Sequence, residues 1–116
     1  MTITRIGPGK RSSRAVKHGN TLYLAGHVAD DVNGGIEQQT SDVLAKIDRV
    51  LADAGTSKSK VLSCQVILSN MADFAAMNSV YDAWIDPANP PTRACIEARL
   101  ASPALKVEII AIAALD

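Results

Sequence analysis

The sequence predicts one α+β domain in which two helices pack on one face of a single mixed β-sheet. Three observations predict it. The chain has 116 residues, a common length for one domain, and 47 % of them are hydrophobic. Two segments repeat apolar residues with the 3.6-residue period of a helix, and the other apolar segments are short and rich in β-branched residues. Each helical segment lies between strands along the chain, so the simplest packing is a two-layer structure.

Turn and stop signals place these segments along the chain. His18-Gly19-Asn20 is a tight-turn signal inside a hairpin, Gly55 stops the first helix, and Pro87 prevents the second helix from continuing. Residues 1–13 contain the breaker Gly7-Pro8-Gly9 and are expected to be irregular. The predicted strands cover residues 15–17, 21–28, 60–69, 92–100 and 106–115. One predicted helix covers residues 36–54, and a second begins at residue 74.

The last predicted strand is apolar on both faces. Alternate residues from Val107 to Ala113 form one face, and Ile110, Ile112 and Ala114 form the other. A strand that is apolar on both sides needs a cover on each side. Because both helices are expected on one face, we expect copies of the chain to assemble and bury the other.

Charge and composition argue against several classes of function. The 12 Lys and Arg residues balance 12 Asp and Glu, so no overall field attracts nucleic acid, although residues 1–18 hold five basic residues and no acid. The few aromatic residues lie at apolar-patterned positions rather than beside basic ones, which argues against single-strand binding. The longest strongly apolar run, Ile109–Leu115, is too short to span a membrane. No signal-peptide pattern follows the basic N-terminus and only two cysteines occur, so we expect a cytoplasmic protein.

Two charged residues in the closing strands are the strongest candidates for chemistry. Alternation along the fourth predicted strand assigns its small apolar residues to the helices, and Arg93 and Cys95 to the opposite face, where copies are expected to meet. Glu108 is a lone carboxylate in an apolar run and is expected on that same face. An arginine can bind a carboxylate through two parallel hydrogen bonds, and a glutamate can position water or exchange protons. Arg93 and Glu108 therefore predict a site for a small carboxylic acid, provided that both side chains face one cleft.

Structural interpretations remain open for each candidate. Arg93 would then be merely exposed, and Glu108 would lie at a solvated rim or pair with an arginine. Cys95 would be a small packed hydrophobic residue, and Asn78 an ordinary polar flank of its helix. His27 ends a strand and is compatible with a rim or a site. The histidines and cysteines lack the spacing of zinc ligands, and nothing in the sequence brings Cys95 and His27 together as nucleophile and base.

Four blocks of the sequence match the blocks of one known family. Gly19–His27 is similar to a GN-x-x-Y-x-SGQ strand, and Asp73–Tyr81 matches a DF-x-x-x-N-x-x-Y helix. Pro91–Cys95 matches P-A-R-S-C, and Val107–Ile109 matches a closing V/I-E-I. With these blocks the chain resembles the RidA/YjgF family of enamine/imine deaminases from about residue 12 to its C-terminus.

The resemblance implies a chorismate-mutase-like fold and a homotrimer with pockets at the subunit interfaces. It implies hydrolysis of reactive 2-imino and 2-enamino acids, such as 2-aminoacrylate, to 2-keto acids and ammonia, without a cofactor or a metal. By position, Arg93 would clamp the substrate carboxylate and Glu108 would activate the attacking water, so these two are the implied catalytic residues. The implied substrate-binding residues are Arg93, the backbone of Cys95, Gly26, Ala25, Asn78, Ser12 and His27.

This sequence departs from the family pattern at two pocket positions. Ser12 stands where the family often has a tyrosine that reaches the pocket, and Ala25-Gly26-His27 replaces Ser-Gly-Gln. These changes imply a roomier and differently polar pocket in a divergent member, with Arg11, Arg14 or His27 free to contribute to it.

Two other functions remain open. A non-catalytic trimer that binds small carboxylates or 2-keto acids would use Arg93 but would not need Glu108. An RNA-directed role has only the basic N-terminal stretch in its favour, and it would require a steep salt dependence of RNA binding.

Overall fold

One mixed β-sheet forms one layer of the molecule, and two helices form the other. The computed structural model describes residues 1–116. In chain order the elements are β1 (Ile3–Pro8), β2 (Ser13–His18), β3 (Thr21–Leu24), β4 (His27–Val28), α1 (Ile36–Asp53), β5 (Val61–Leu68), α2 (Phe74–Trp84), β6 (Thr92–Glu97) and β7 (Val107–Ala114). Short 3₁₀ turns at Lys58–Lys60 and Met71–Asp73 precede β5 and α2. The predicted α+β class is confirmed.

The strands lie side by side in the order β1, β2, β3, β7, β5, β6, and the short β4 pairs with β7 beyond the end of β3. Only β5 and β6 are parallel, because the chain crosses over through α2 between them. The last strand of the chain is therefore central in the sheet. It joins the amino-terminal strands to the β5–β6 pair.

The helices cover one face of this sheet, as the apolar periodicity predicts. The buried stripe of α1 includes Val43, Leu44 and Ile47, and α2 contributes Met77 and Tyr81. On β7 the residues of one alternate set are fully buried, whereas those of the other set are only half-buried. Truncating a fully buried residue such as Ile47 to alanine is expected to cost about 2–5 kcal/mol. Neither helix is both long and apolar enough to cross a membrane.

A buried glutamine joins two parts of the chain that lie far apart in sequence, the start of α1 and the segment before β7. Gln39 on α1 donates from Nε2 to the carbonyls of Gly34 at 3.2 Å and Ala104 at 3.0 Å. Its Oε1 accepts from the backbone N–H of Lys106 at 2.9 Å. Because the Gln39 side chain itself is fully buried, an apolar residue here would lose these bonds between distant segments, at a cost of about 0.5–1.5 kcal/mol for each. No sequence pattern pointed to this residue.

The expectation that residues 1–13 are irregular is wrong. Residues 3–8 form β1, which pairs antiparallel with β2 and sets Arg5 opposite Val16 and Ile6 opposite Ala15. Five of its six side chains are exposed, so β1 shows no apolar alternation and is held mainly by backbone hydrogen bonds. The predicted strand 92–100 is also too long, since β6 ends at Glu97.

Candidate functional site

The faces of β6 are the reverse of those predicted. The register pairs Arg93 with Cys64 and Cys95 with Val66 on β5, and both partners are buried in the core under the helices. Arg93 and Cys95 therefore point toward the helix layer, while the side chain of Ile96 is 43 % exposed on the open face. The assignment of the small apolar residues of this strand to the helices is wrong.

The error has a simple physical cause. Alternation separates the residues of a strand into two sets but does not say which set meets the helices. On the edge strand β6, a long arginine can lay its apolar stem along α2 while its head stays accessible to water. The small residues of the other set lose little by remaining at the surface.

Glu108 lies on the opposite face of the sheet from Arg93. Its neighbours in register are Ile67 on β5 and Val28 on β4, and the adjacent β7 residues Val107 and Ile109 face the helices. The expectation that Arg93 and Glu108 face the same side of the sheet is therefore wrong. The two side chains can share a site only if they come from different copies of the chain.

Arg93 is held in place by side chains of α2. Its Nη1 donates to Oδ1 of Asn78 at 2.7 Å, and its guanidinium carbon lies 4.7 Å from the ring centre of Tyr81 and 5.8 Å from that of Phe74. The three partners are four and three residues apart and so share one face of α2. Arg93 is half-buried and has no carboxylate partner. This leaves a positioned guanidinium free to bind an external anion.

The thiols and the phenol beside Arg93 stay neutral at physiological pH. Burial raises the pKa of the Tyr81 phenol and of the Cys64 thiol above their usual values. Burial also raises the pKa of Cys95, against the opposing effect of the positive charge on Arg93. Cys95 packs against the core, in agreement with its structural interpretation. The charge on Arg93 is therefore not neutralised from within the cluster.

Four of the predicted substrate-binding residues line one cavity between α1 and the amino-terminal strands, near the opposite edge of the sheet from Arg93. This cavity, called here the basic cavity, has a volume of about 310 Å³. Two backbone hydrogen bonds shape it: Gly9 N–H donates to the carbonyl of Ser12 at 2.8 Å, and Ala25 N–H donates to the carbonyl of Arg14 at 2.9 Å. Its walls comprise Gly7, Gly9, Ser12, Ser13, Arg14, Ala25, Gly26, His27, Lys46, Arg49 and Val50. A larger cavity of about 680 Å³ beside residues 98–105 contains none of the predicted site residues.

Gly26 brings the wall of the basic cavity against the carboxylate of Glu108. Between the pairs Tyr23–Ile112 and His27–Ile109 the β3–β4 segment has one residue more than β7, so the chain bulges there. A Cβ atom at position 26 would meet Oε2 of Glu108, which is why the backbone needs glycine at this close approach. Glu108 has no ion-pair partner in the chain.

His27 forms a buried wall of the basic cavity rather than an exposed rim. It is only 7 % exposed, and its Nδ1 lies 2.7 Å from the carbonyl oxygen of Ala25. Burial lowers the pKa of His27, and the positive charges of Lys46 and Arg14 lower it further, while Glu108 opposes them. The ring is therefore neutral at pH 7, with Nδ1–H as the donor to Ala25 and Nε2 as an acceptor.

The structure also adds residues that the sequence did not single out. Lys46 and Arg49 reach the basic cavity from α1, and nothing in their spacing distinguishes them from other charges on the solvent side of a helix. Arg14 lines the cavity as the resemblance allowed, while Arg11 lines a neighbouring opening on the same turn. No group of three or more histidine, cysteine or acidic residues that could hold a metal occurs in the chain.

A mixed sheet covered on one face by two helices, with an arginine fixed on its edge strand and a glutamate on its central strand, defines a class of small α+β proteins. The family model described as Endoribonuclease L-PSP matches residues 2–115. The chain belongs to this family, which confirms the RidA/YjgF resemblance.

Relatives and solved structures agree with this membership over the whole chain. A RutC family protein of Haemophilus influenzae is 44 % identical over 114 residues, which cover 97 % of this chain and 98 % of the relative. The RutC family protein YoaB of Escherichia coli is 42 % identical, covering 98 % of this chain and 99 % of its own. The crystal structure of NMB1025 of Neisseria meningitidis, described as a member of the YjgF protein family, superposes with a TM-score of 0.97 at 42 % identity, covering 100 % of this chain and 97 % of that one.

Proposed function

We propose that this protein hydrolyses 2-imino and 2-enamino acids to 2-keto acids and ammonia, at a site that two copies of the chain build together. The observation that carries the proposal is the guanidinium of Arg93, held by Asn78 and left without an acidic partner. Family membership supports the same reaction through the resemblance to enamine/imine deaminases.

Arg93 binds and orients the substrate in this proposal. A guanidinium can donate two parallel hydrogen bonds to a carboxylate, and such bonds are about twice as strong as neutral ones. With Nη1 already bonded to Asn78, the orientation of the guanidinium plane is set before the substrate arrives. Fixing the carboxylate fixes the neighbouring imine carbon, and orientation of this kind can lower a barrier by several kcal/mol.

Glu108 provides the acid–base step. A 2-enamino acid first tautomerises to the imine, gaining a proton at its β-carbon and losing one from nitrogen. The Glu108 carboxylate accepts a proton from water as the water oxygen attacks the imine carbon, and passes it to the imine nitrogen, which completes a carbinolamine. The carboxylate then takes the hydroxyl proton and delivers it to the amine nitrogen, so that the carbonyl forms as the C–N bond breaks and ammonia leaves. One water is consumed and no oxidant or reductant is required. Positioned proton transfer of this kind is worth about 10²–10⁴ in rate.

The two residues meet only across a contact between copies in this scheme. Arg93 lies on the edge strand β6, where a neighbouring chain can approach it, and Glu108 lies on the open face of the sheet. That face carries the half-buried residues Ile110 and Ile112, and Leu62 nearby is 50 % exposed. Burying such a surface would drive assembly. We propose the homotrimer that the resemblance implies.

A complementation experiment tests the reaction and the shared site together. Arg93→Ala and Glu108→Gln chains are each expected to be inactive in the hydrolysis of an imino acid generated by an amino acid oxidase. Chains of both kinds, denatured, mixed equally and refolded, should form roughly a quarter of their interface sites with both native residues and recover a matching activity. Recovery would support the proposal. Failure of mixed assemblies to regain activity, although they form, would exclude a site shared between copies.

Arg93 and its partners on α2 are also compatible with an alternative function, that of a non-catalytic binding protein. Such a protein would bind 2-keto acids through Arg93 and show no turnover in its native form, with no effect of Glu108→Gln on binding. The name of the matching family model refers to an endoribonuclease, so the native protein and both variants should also be incubated with RNA and assayed for cleavage. RNA cleavage that Arg93→Ala and Glu108→Gln leave unchanged would place that activity elsewhere.

A further inference from the structure

We propose that the basic cavity binds a small oxyanion, the phosphate or second carboxylate of a metabolite, in addition to any carboxylate held by Arg93. The cavity lies between the β1–β2 turn, the bulge at Gly26 and α1. Arg93 is on β6, at the opposite edge of the sheet from β1 and β2, and does not line the cavity.

The charges around the cavity favour an anion. Arg14, Lys46 and Arg49 reach it from two different elements, and none of its lining residues is acidic. Two carboxylates lie nearby: Asp53 is 3.8 Å from Arg14 and Asp30 is 2.8 Å from Lys46. The Arg14–Asp53 pair is long and exposed and contributes little, whereas Lys46 is partly engaged by Asp30 and by the carbonyl of Val28 at 2.9 Å. Arg49 has no acidic partner, so the cavity keeps a net positive charge.

The donors in the cavity suit an oxyanion. Two guanidinium groups offer forked donors, which match the geometry of phosphate and carboxylate. The hydroxyls of Ser12 and Ser13 make no hydrogen bond within the chain and line the same space. Gly7 leaves room for the guanidinium of Arg14, which a Cβ atom at that position would meet. A volume of about 310 Å³ is at the small end of ligand sites, which suits a compact metabolite.

Binding of an anion in the basic cavity should be linked to protonation of the buried His27. The charges of Lys46 on α1, Arg14 on β2 and Glu108 on β7 act on His27, whose Nδ1 lies 2.7 Å from the carbonyl oxygen of Ala25 in its own bulge. Burial and the two positive charges favour its neutral form. An anion bound in the cavity would offset those charges and stabilise the imidazolium. Binding should therefore take up a proton near neutral pH.

The proposal also accounts for the basic N-terminal stretch. Arg14 lines the cavity itself, and Lys10 and Arg11 line an adjoining opening on the same β1–β2 turn. Together they raise the local positive potential in a chain whose formal net charge is zero.

Direct binding of inorganic phosphate and of succinate tests the proposal. Calorimetry is done on the native protein, on Arg49→Ala and on the control Lys60→Ala, which removes an exposed cation outside the cavity. We expect saturable binding that Arg49→Ala weakens roughly tenfold or more and Lys60→Ala leaves unchanged. The preferred probe tells a phosphate-bearing ligand from a dicarboxylate. Because Arg49 is exposed, its loss should not unfold the protein, and unchanged thermal melting will verify this.

A second measurement follows the His27 ring by NMR during a pH titration. Its apparent pKa should rise when the better of the two probes is saturating and should not rise in Arg49→Ala. Absence of saturable binding for both probes, or equal affinities in Arg49→Ala and Lys60→Ala, would overturn the proposal. Since neither measurement uses turnover, the result does not depend on the proposed hydrolysis.

Discussion

The Arg93 cluster, which is Arg93 with Phe74, Asn78 and Tyr81, and the basic cavity lie near opposite edges of the sheet and are built in different ways. The cluster takes its partners from one helix, where Phe74, Asn78 and Tyr81 follow helical spacing. The cavity is assembled from a turn, a bulge and the polar side of α1. A helix face fixes side chains tightly, whereas turns accept changes of residue. This difference fits the match of the sequence to the family pattern at Arg93 and its departures from that pattern at Ser12 and His27.

Glu108→Gln should have the largest effect, because it removes the only carboxylate beside the Gly26 bulge. We expect turnover of an oxidase-generated imino acid to fall by about 10²–10⁴, with binding of a 2-keto acid retained. Glu37→Gln, which changes an exposed acid in the first turn of α1, is the matched control and should stay fully active. Equal activities of the two variants would remove Glu108 from the reaction.

Asn78→Asp would give the guanidinium of Arg93 an acidic partner within the chain, which the native protein lacks. The new carboxylate would lie where Oδ1 now accepts at 2.7 Å and would pair with the guanidinium. Competition for Arg93 should raise KM about tenfold or more and affect kcat less, since the charge-assisted bond to substrate must compete with an internal ion pair. Steady-state kinetics on Asn78→Asp and Asn78→Ala separate this effect from loss of positioning alone. A KM that the Asp variant leaves unaltered would contradict the role of Arg93.

Gly26→Ala tests how closely the bulge and Glu108 depend on each other. The added methyl group would displace the carboxylate, which is the end of a flexible side chain, so the fold should accommodate it. We expect a several-fold loss of turnover with a loss of stability below about 1.5 kcal/mol, typical of a small accommodated change. Thermal melting and kinetics on one preparation measure both quantities. A large drop in stability with normal kinetics would show that Gly26 serves the fold instead.

His27→Gln should have the smallest effect, and its sign follows from the direction of the pKa shift. The pKa of His27 is below its ordinary value of 6.5 in the folded protein, chiefly because of burial. The unfolded chain therefore takes up a proton first as the pH falls, so stability declines below about pH 6.5 until the folded pKa is passed. His27→Gln should lose the share of this pH-dependent drop in stability that His27 causes. Melting temperatures at pH 5 and pH 7.5 should differ less in His27→Gln than in the native protein.

Much of the fold follows from sequence patterns, because apolar periodicity reports burial. The stripe of α1 and the two-sided apolar strand β7 were predicted within one residue of their bounds. β1 was missed because an exposed edge strand has no buried face to leave a pattern. Gln39 was missed because its partners are backbone groups, which the sequence does not distinguish.

The candidate site was predictable in its residues but not in its arrangement. Residue type and strand position singled out Arg93 and Glu108, and the resemblance gave them roles, yet alternation could not say which face of β6 meets the helices. Lys46 and Arg49 enter the basic cavity only through the packing of α1 against the bulge, a contact between distant parts of the chain. Such contacts depend on tertiary structure and leave no local signal.

The exposed strand β1 also limits the ways in which this chain can associate. An unprotected strand edge is a template for aggregation, in which sheets add to one another without end. Here the edge is short and carries the charged Arg5, and it ends at Pro8, which has no backbone N–H to donate. These features discourage fibre growth along the sheet. They leave the open face, with the half-buried Ile110 and Ile112, as the surface through which the proposed assembly would form.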